Sequence, residues 1–256
     1  MSVELDKWTI TIREAPNEHS TTLICLCYAG GNPDIFRTWS DGIGADMGLL
    51  AIRLPGHGRR VRERPYRSWR SLVEDTFATI SPYLSANHAF FGHSFGGRLA
   101  YELTHLAAAE YPGRTRRLFV AACRSPNFRQ ARPYMHRLLD NDFRDALRDM
   151  GGTPAEILAN KTLMRILLPV VRDEIRLAEL WGDRHHKGVE VPITALYGRD
   201  DTIDGRKSMR GWEAFSQRAC ELIEMPGGHF FLDTHRPALL EVINARLEVP
   251  GGQVGL

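Results

Sequence analysis

This 256-residue chain has no long apolar run and no internal repeat, and its net charge is close to zero. No apolar stretch approaches the roughly 20 residues that a membrane-spanning helix needs. The 33 basic and 31 acidic residues leave a formal net charge of +2, which gives no reason to expect binding to nucleic acid. The length allows one large α/β domain or two small ones, each with a full core. Since no low-complexity linker divides the chain, we expect a single domain.

Cysteine is also scarce, and its placement favours buried thiols over a disulfide framework. Cys25, Cys27, Cys123 and Cys220 lie mostly inside apolar runs, which is typical of buried thiols in a reducing compartment. Cys25 and Cys27 are separated by one residue, but no further Cys or His pair follows them at the spacing of a zinc site. Residues 1–12 contain acidic residues and lack the apolar segment of a secretory signal. We therefore expect a cytoplasmic protein without a metal ion.

Apolar runs alternate with helical patterns over most of the chain. This alternation predicts an α/β fold with a mostly parallel sheet covered by helices on both faces. The predicted strands cover residues 8–13, which alternate like an edge strand, and the buried runs 22–28, 49–54, 88–92, 117–123, 193–197 and 220–225. The predicted helices cover about 35–43, 68–84, 95–110, 205–217 and 236–247, and a frayed tail is predicted at 249–256.

The strand pattern is absent from residues 124–190, where helical patterns replace it. Thr153-Pro154-Ala155-Glu156 predicts a capping box at the start of one helix, and Pro169 is expected to interrupt another. Because this segment is longer than an ordinary crossover, we predict a helical lid inserted between two parts of a core, residues 1–123 and 191–256. The alternative is a set of extra helices packed on the sheet edge.

The segment Phe90-Phe91-Gly92-His93-Ser94-Phe95-Gly96-Gly97 joins a predicted strand to a predicted helix. It contains G-x-S-x-G, the pattern of a nucleophile elbow, in which the serine occupies a strained turn and the glycines leave room around it. The serine hydroxyl then stands at the positive end of a helix. Alone, the pattern also fits an ordinary glycine-rich loop, so the rest of the chain has to supply catalytic partners.

Two later loops supply the base and the acid that an acyl-transfer site needs. His229 follows two glycines after the last predicted strand and is the candidate base. Asp201 lies three residues after Gly198, the usual place of the acid in a hydrolase, and we prefer it to Asp200; Asp204 is a more remote option. The order nucleophile, acid, base is that of α/β hydrolases.

An oxyanion hole needs two backbone N–H donors. By position, these are expected from Phe95, directly after the serine, and from Ala29, in the loop after the first central strand. We expect the Phe95 ring to line the floor of an acyl pocket. His57 and His93 are predicted to be structural, and His185-His186 to be solvated.

Together these loops resemble the type II (editing) thioesterases of polyketide and non-ribosomal peptide assembly lines, in the α/β-hydrolase superfamily. The resemblance covers about residues 22–240. It is carried by Tyr28-Ala29-Gly30-Gly31, Leu54-Pro55-Gly56-His57-Gly58-Arg59, Gly92-His93-Ser94-Phe95-Gly96-Gly97, Gly198-Arg199-Asp200-Asp201 and Gly227-Gly228-His229-Phe230-Phe231. Cys27 stands where the family usually has proline, and Asn32 where serine is common.

The resemblance implies a cofactor-independent enzyme that hydrolyses acyl groups from the phosphopantetheine arm of carrier proteins. The pathway would be polyketide, non-ribosomal peptide or fatty acid biosynthesis. Catalysis would use Ser94, His229 and Asp201 through an acyl-enzyme, with Ala29 and Phe95 as the oxyanion hole. The implied partners are carrier domains of a synthase and small acyl thioesters, without nucleic acid or membrane, and the enzyme is expected to be a monomer.

A cluster of arginines in an otherwise near-neutral chain is relevant to binding of the carrier domain. Carrier domains of such systems are generally acidic, so these arginines form either a docking surface or a solvated face; they are Arg59, Arg60, Arg62, Arg64 and Arg67. Two further functions fit the same residues. One is a carboxylesterase or lipase with the same triad, and the other is a hydrolase-fold binding protein without turnover.

Overall fold

A computed structural model of the chain describes residues 7–129, 133–185 and 187–247. The strands are β1 (Thr9–Arg13), β2 (Thr21–Leu26), β3 (Met47–Ile52), β4 (His88–His93), β5 (Thr115–Ala121), β6 (Ile193–Gly198) and β7 (Cys220–Met225). They form one sheet in the order β1-β3-β2-β4-β5-β6-β7. β1 is antiparallel to β3, and all the other neighbouring pairs are parallel. The predicted α/β architecture with an edge strand at the start is confirmed.

The helices follow the predicted alternation with the strands. They are α1 (Trp69–Leu84), α2 (Phe95–Glu110), α3 (Asp140–Met150), α4 (Ala155–Ala159), α5 (Lys161–Leu180), α6 (Arg206–Met209), α7 (Phe231–Thr234) and α8 (Arg236–Leu247). Short 3₁₀ helices cover Pro33–Trp39, Gly58–Arg60, Met135–Arg137 and Arg210–Phe215. Among the described residues, none of these helices combines the length and apolar character needed to cross a bilayer. The predicted tail at 249–256 lies outside the described residues.

Apolar side chains fill both faces of the sheet. On one face, α1 and α2 bury residues such as Phe77 and Leu99. On the other, α8 and the 3₁₀ helix at Pro33–Trp39 bury residues such as Trp39 and Ile243. Complete burial of each such side chain contributes about 1.5–3 kcal/mol. The two layers hold the carboxyl ends of the parallel strands rigidly at one edge of the sheet, where sites form in folds of this kind.

Two predicted helices are shorter than expected. The segment predicted as a helix over 35–43 is the 3₁₀ helix Pro33–Trp39, whose first turn is capped by the Asn32 side chain. The helix predicted over 205–217 consists of α6 and a 3₁₀ helix. Gly211 in that 3₁₀ helix packs closely against the segment after β5, because an added Cβ would lie 2.2 Å from the Ser125 Oγ.

The described residues of 124–190 form α3, α4 and α5 and add no strand to the sheet. Their apolar faces form a separate small cluster that includes Phe143, Leu147, Met164 and Ile175. The predicted capping box does not form, because α4 begins after Pro154 without a side-chain cap.

Pro169 does not interrupt α5, contrary to the prediction from the sequence. It lies on the exposed side of the helix, while Leu168 and Val171 are buried. A proline inside a helix removes one backbone hydrogen bond. Burial of the apolar stripe on the opposite face outweighs that loss, so one helix of 20 residues runs through this position.

Candidate active site

Ser94 occupies a strained turn between β4 and α2, as the elbow motif predicts. Its φ of 53° and ψ of −112° are uncommon for a residue with a side chain, and such strain costs about 1–3 kcal/mol. The Ser94 N–H donates to the Ala121 carbonyl at 2.8 Å, which holds the turn against β5. Since α2 begins at Phe95, the positive end of its dipole adjoins the serine.

Glycines flank this turn because side chains do not fit beside it. A Cβ on Gly92 would lie 2.2 Å from the Gly96 carbonyl oxygen, and a Cβ on Gly96 would lie 2.4 Å from the Leu26 carbonyl oxygen. Both neighbours are backbone atoms of packed elements, so neither can move aside cheaply. The G-x-S-x-G pattern is therefore a steric requirement for placing α2 directly against β2 and β4.

His229 and Asp201 are joined by a hydrogen bond between the loops that follow β7 and β6. The His229 Nδ1 lies 2.8 Å from the Asp201 Oδ2, and the two side chains are only 4% and 0% exposed. A carboxylate only accepts hydrogen bonds, so Nδ1 carries the proton and Nε2 is left as a base. The backbone N–H groups of Ile203 and Asp204 donate to the other Asp201 oxygen at 2.7 and 2.9 Å.

Asp201 is held as a carboxylate by these contacts. Burial raises the pKa of its carboxyl, but the hydrogen bond and charge of His229, with the two backbone donors, hold the pKa below its usual range. The alternative acids are placed differently: Asp200 is exposed, and Asp204 forms an ion pair with Arg98. The carboxylate that contacts His229 is thus the preferred candidate.

Ser94 and His229 line one cavity of about 950 Å³. Within the described residues, the Ser94 hydroxyl makes no hydrogen bond to His229. Bonds between a nucleophile and its base often tighten only when a substrate binds. Helices α3 and α5 supply much of the apolar wall of this cavity, through Ala146, Leu147, Met150, Ile175 and Ala178.

The predicted oxyanion donors lie at the same end of the sheet. Ala29 follows β2 in a tight turn closed by the Gly31 N–H and the Tyr28 carbonyl at 2.8 Å, and it lines the cavity with Ser94. Phe95 is the first residue of α2, and the first N–H groups of a helix have no acceptor inside it.

The Phe95 ring, however, does not lie where the sequence analysis placed it. It is 1% exposed and packs against Trp69 of α1, with ring centroids 5.5 Å apart. The first turn of α2 directs this side chain into the core between the helix and the sheet. Phe95 therefore contributes its backbone to the candidate site and its ring to the core.

The other histidines follow the predictions in part. His93 is fully buried, and its ring centroid lies 5.4 Å from that of His229. Burial and the charge of His229 hold its pKa well below the usual range, so it packs as a neutral ring. His57 is buried against Glu174. The prediction for His185 is wrong, because its Nε2 lies 2.7 Å from a Glu102 carboxylate oxygen; His186 lies outside the described residues.

Comparison with known proteins identifies the family. A family model of the thioesterase domain matches residues 21–247. The chain belongs to the thioesterase family. Among solved structures, the type II thioesterase BorB from the borrelidin biosynthetic cluster superposes with a TM-score of 0.85 and 30% sequence identity, covering 95% of this chain and 98% of BorB. The predicted resemblance and the α/β-hydrolase fold are confirmed, and the thioesterase is an enzyme of the serine-hydrolase type.

Curated relatives agree with this assignment. The gramicidin S biosynthesis protein GrsT of Aneurinibacillus migulanus is 28% identical to the thioesterase over 246 residues, which are 96% of each chain. The medium-chain S-acyl fatty acid synthase thioesterase of Rattus norvegicus is 27% identical over 215 residues, which are 82% of this chain and 81% of the relative.

The buried charged residues of the thioesterase that were not predicted from the sequence include Arg98 on α2 and Glu174 on α5. Glu174 falls on the apolar stripe of its helix, between Val171 and Ile175. A charged residue on a buried stripe needs a specific partner, and this signal was present in the sequence. Among the residues described, no group of three or more His, Cys, Asp or Glu side chains is placed to hold a metal ion.

Proposed function

We propose that the thioesterase hydrolyses acyl groups from the phosphopantetheine thioester of carrier proteins, with Ser94 as nucleophile, His229 as base and Asp201 as orienting acid. The observation that carries this proposal is the buried 2.8 Å contact between His229 and Asp201 at the cavity that Ser94 lines. The names of three relatives support this substrate class, because they refer to gramicidin S biosynthesis, the borrelidin biosynthetic cluster and a fatty acid synthase thioesterase.

The reaction proceeds through an acyl-enzyme. His229 Nε2 takes the hydroxyl proton as the Ser94 Oγ attacks the thioester carbonyl carbon. The N–H groups of Ala29 and Phe95 stabilise the oxyanion, and the C–S bond breaks as the thiol leaves with the proton from His229. A thiol is a good leaving group because its pKa is about 8.5. Water, deprotonated by His229, then attacks the acyl-enzyme. His229 returns that proton to the Ser94 Oγ as the ester C–O bond breaks, and the free acid leaves.

The helical insertion at 124–190 acts in this proposal as the lid and acyl pocket. Its apolar side chains face the cavity that holds Ser94 and His229, so a bound acyl chain lies between the insertion and the sheet. The reaction needs neither metal nor organic cofactor, since the triad and two backbone donors supply its chemistry. Four free cysteines fit a reducing cytoplasm, and a monomeric state stays a prediction.

The decisive test compares three substrates with the same acyl group: an acyl-carrier protein, an acyl-CoA and a p-nitrophenyl ester. We expect kcat/KM to be highest for the carrier-bound thioester. Preference for the oxygen ester would favour the carboxylesterase alternative. Ser94→Ala should abolish turnover of all three substrates; activity retained by that variant would contradict the mechanism, and a wild-type protein that binds but does not turn over would favour a binding function.

One arginine of the predicted cluster is buried and cannot belong to a docking surface. Arg60 is 4% exposed, because its guanidinium lies over the Trp8 ring at 3.8 Å and forms an ion pair with Glu63 at 2.7 Å. The exposed members are Arg59, Arg62, Arg64 and Arg67. They follow β3 on the side of the sheet where the parallel strands have their carboxyl ends, which is also the side of the candidate site. We therefore propose that these four arginines contact an acidic carrier protein.

Charge reversal tests this surface. Arg62→Glu with Arg64→Glu should raise KM for an acyl-carrier protein and leave hydrolysis of a small soluble acyl thioester unchanged. Arg114→Glu is a matched control, because Arg114 is exposed but precedes β5 at the opposite edge of the sheet. Equal effects of the double variant on both substrates, or an equal KM effect of the control, would exclude docking at this surface.

A further inference from the structure

We propose that Glu174, on α5 of the insertion, is a positioning residue for the oxyanion hole. This inference rests on the proposed function, because it assigns Glu174 to the loop whose Ala29 N–H would stabilise the oxyanion. It also changes the role of α5, which becomes a fixed part of the catalytic framework rather than a movable part of the lid.

Glu174 binds the oxyanion loop directly. Its Oε2 accepts a hydrogen bond from the Gly30 N–H at 2.7 Å, and its Oε1 lies 2.7 Å from the His57 Nε2. The side chains of Glu174 and His57 are 5% and 7% exposed. A hydrogen bond from a backbone N–H to a buried carboxylate is among the stronger contacts in proteins. The bond fixes the peptide plane between Ala29 and Gly30, next to the predicted donor.

Close packing adds to this hydrogen bond. Gly30 has a φ of 78°, and an added Cβ would lie 2.7 Å from the Val171 side chain, which is one turn before Glu174 on α5. Gly56 has a φ of 90°, and an added Cβ would lie 2.6 Å from Val170. Both loops thus use a left-handed glycine to approach α5 without a side chain between them. Their position depends on the position of this helix.

α5 is in turn fixed to the α/β core. The Trp69 Nε1 of α1 donates to the Leu177 carbonyl at 2.6 Å. Arg67, just before α1, forms an ion pair with Asp173 at 2.9 Å. These bonds join the middle of α5 to α1 and to the segment before it, separately from the Gly30 contact. The oxyanion loop is consequently clamped between β2, which precedes it, and a helix that is anchored at a second place.

A positioning role for Glu174 can be distinguished from a packing role, because the two roles predict different effects of the same substitutions on kcat. Glu174→Met fills the space but offers no acceptor, so the Gly30 N–H loses its partner. Glu174→Gln keeps an amide oxygen for Gly30 and an N–H for the imidazole of His57. A displaced donor lowers catalysis by about 100-fold or more, whereas the glutamine variant should recover most of the wild-type rate.

The experiment measures kcat and KM on a small acyl thioester for four proteins: wild type, Glu174→Met, Glu174→Gln and Glu156→Met. We expect Glu174→Met to lower kcat about 100-fold with little change in KM, Glu174→Gln to lie within a few-fold of wild type, and Glu156→Met to match wild type. Glu156 is an exposed glutamate on α4, so the control makes the same substitution at a side chain on the surface. Unchanged kcat in folded Glu174→Met, or equal losses in the methionine and glutamine variants, would overturn the proposal.

A second measurement keeps the test independent of folding and of the substrate. If Glu174→Met does not fold, Glu174→Asp, which retracts the carboxylate by one methylene group, takes its place with the same expected loss of kcat. A fluorophosphonate that labels Ser94 forms a tetrahedral adduct with an oxygen in the oxyanion hole. Slower labelling of the variant supports the positioning role even if thioesters are not the substrate, whereas equal labelling rates contradict it.

Discussion

Arg98 and Asp204 form an ion pair in the wall of the cavity, with 3.5 Å between the Arg98 Nη2 and the Asp204 Oδ2 and side chains only 2% and 4% exposed. The pair connects the elements that carry Ser94 and Asp201, because Arg98 lies one turn after Ser94 on α2 and the Asp204 N–H donates to Asp201. The Asp204 Oδ1 and the Arg98 Nε and Nη1 are also buried, and none of these three atoms has a hydrogen-bond partner in the described structure.

Removing one member of this pair should cost more stability than removing both charges. Arg98→Met leaves the Asp204 carboxylate buried without its counter-charge, and we expect the free energy of unfolding to fall by about 3–5 kcal/mol. Adding Asp204→Asn should recover part of that loss, because the uncompensated charge is gone. Urea unfolding of the two single variants and the double variant measures the coupling.

An exposed pair provides the control for this measurement. Arg148 and Asp145 form an ion pair on the surface of α3, and surface pairs contribute little to stability. Arg148→Met should therefore barely change the free energy of unfolding. A double variant that is as unstable as the sum of its single variants would contradict a coupled buried pair.

Asp201 contacts His229, whereas the neighbouring Asp200 is exposed. Asp201→Asn presents an amide to the His229 Nδ1, which favours the wrong tautomer of the ring, and we expect kcat to fall about 10⁴-fold. Asp200→Asn changes an exposed side chain and should leave kcat within a few-fold of wild type. Steady-state kinetics of both variants on one acyl thioester decide the matter. A larger loss in Asp200→Asn would reverse the assignment.

The order of the elements could be predicted from the sequence because it depends on local patterns. Apolar runs of six residues or so, followed by glycine turns, identify β4 and β6 without knowledge of their neighbours. The glycines around Ser94 could likewise be interpreted from the sequence, because the G-x-S-x-G motif indicates that backbone segments approach each other closely there. The same holds for Asp201 and His229, whose loops come directly after strands.

Contacts between distant segments could not be predicted in this way. Glu174 and Gly30 are 144 residues apart, and no local pattern joins a glutamate on one helix to a glycine in an earlier loop. The Phe95 ring was misplaced for a related reason, since the direction of a side chain at the start of α2 depends on how Trp69 packs against it. The continuity of α5 through Pro169 also depends on tertiary burial rather than on propensity.

The elbow glycines allow a test of steric fit. A Cβ on Gly96 would meet two backbone oxygens, those of Leu26 at 2.4 Å and Cys27 at 2.5 Å, so β2 and α2 must separate. We expect Gly96→Ala to lower the free energy of unfolding by about 1–3 kcal/mol or more and to reduce labelling of Ser94 by a fluorophosphonate. Thermal unfolding and labelling rates are the measurements.

Gly182 is the matched control for this substitution, because an added Cβ there meets nothing within 4 Å. Gly182→Ala should leave both the unfolding temperature and the labelling rate close to wild type. If Gly96→Ala behaved like this control, the close approach of α2 to β2 would not be a requirement of the fold.

The pair formed by His57 and Glu174 makes stability depend on pH. Burial lowers the pKa of His57, but the charge and hydrogen bond of Glu174 together outweigh that effect and hold the pKa above its usual range. The folded state therefore binds this proton more tightly than the unfolded chain, where the pKa of histidine is about 6.5. The stabilisation is complete below that pH and is lost as the pH rises through the raised pKa.

Comparing the wild type with His57→Gln isolates this contribution. Burial lowers the pKa values of His93 and His105, so their contributions to stability have the opposite pH dependence. Both histidines are present in the wild type and in His57→Gln, so their contributions cancel in the difference. The difference in unfolding free energy between the two proteins should be largest near pH 6 and should shrink toward pH 8, about 1.5 units above the pKa of free histidine. Urea unfolding across that range measures it. A difference that stays constant, or that grows with pH, would mean that His57 does not hold its proton against Glu174.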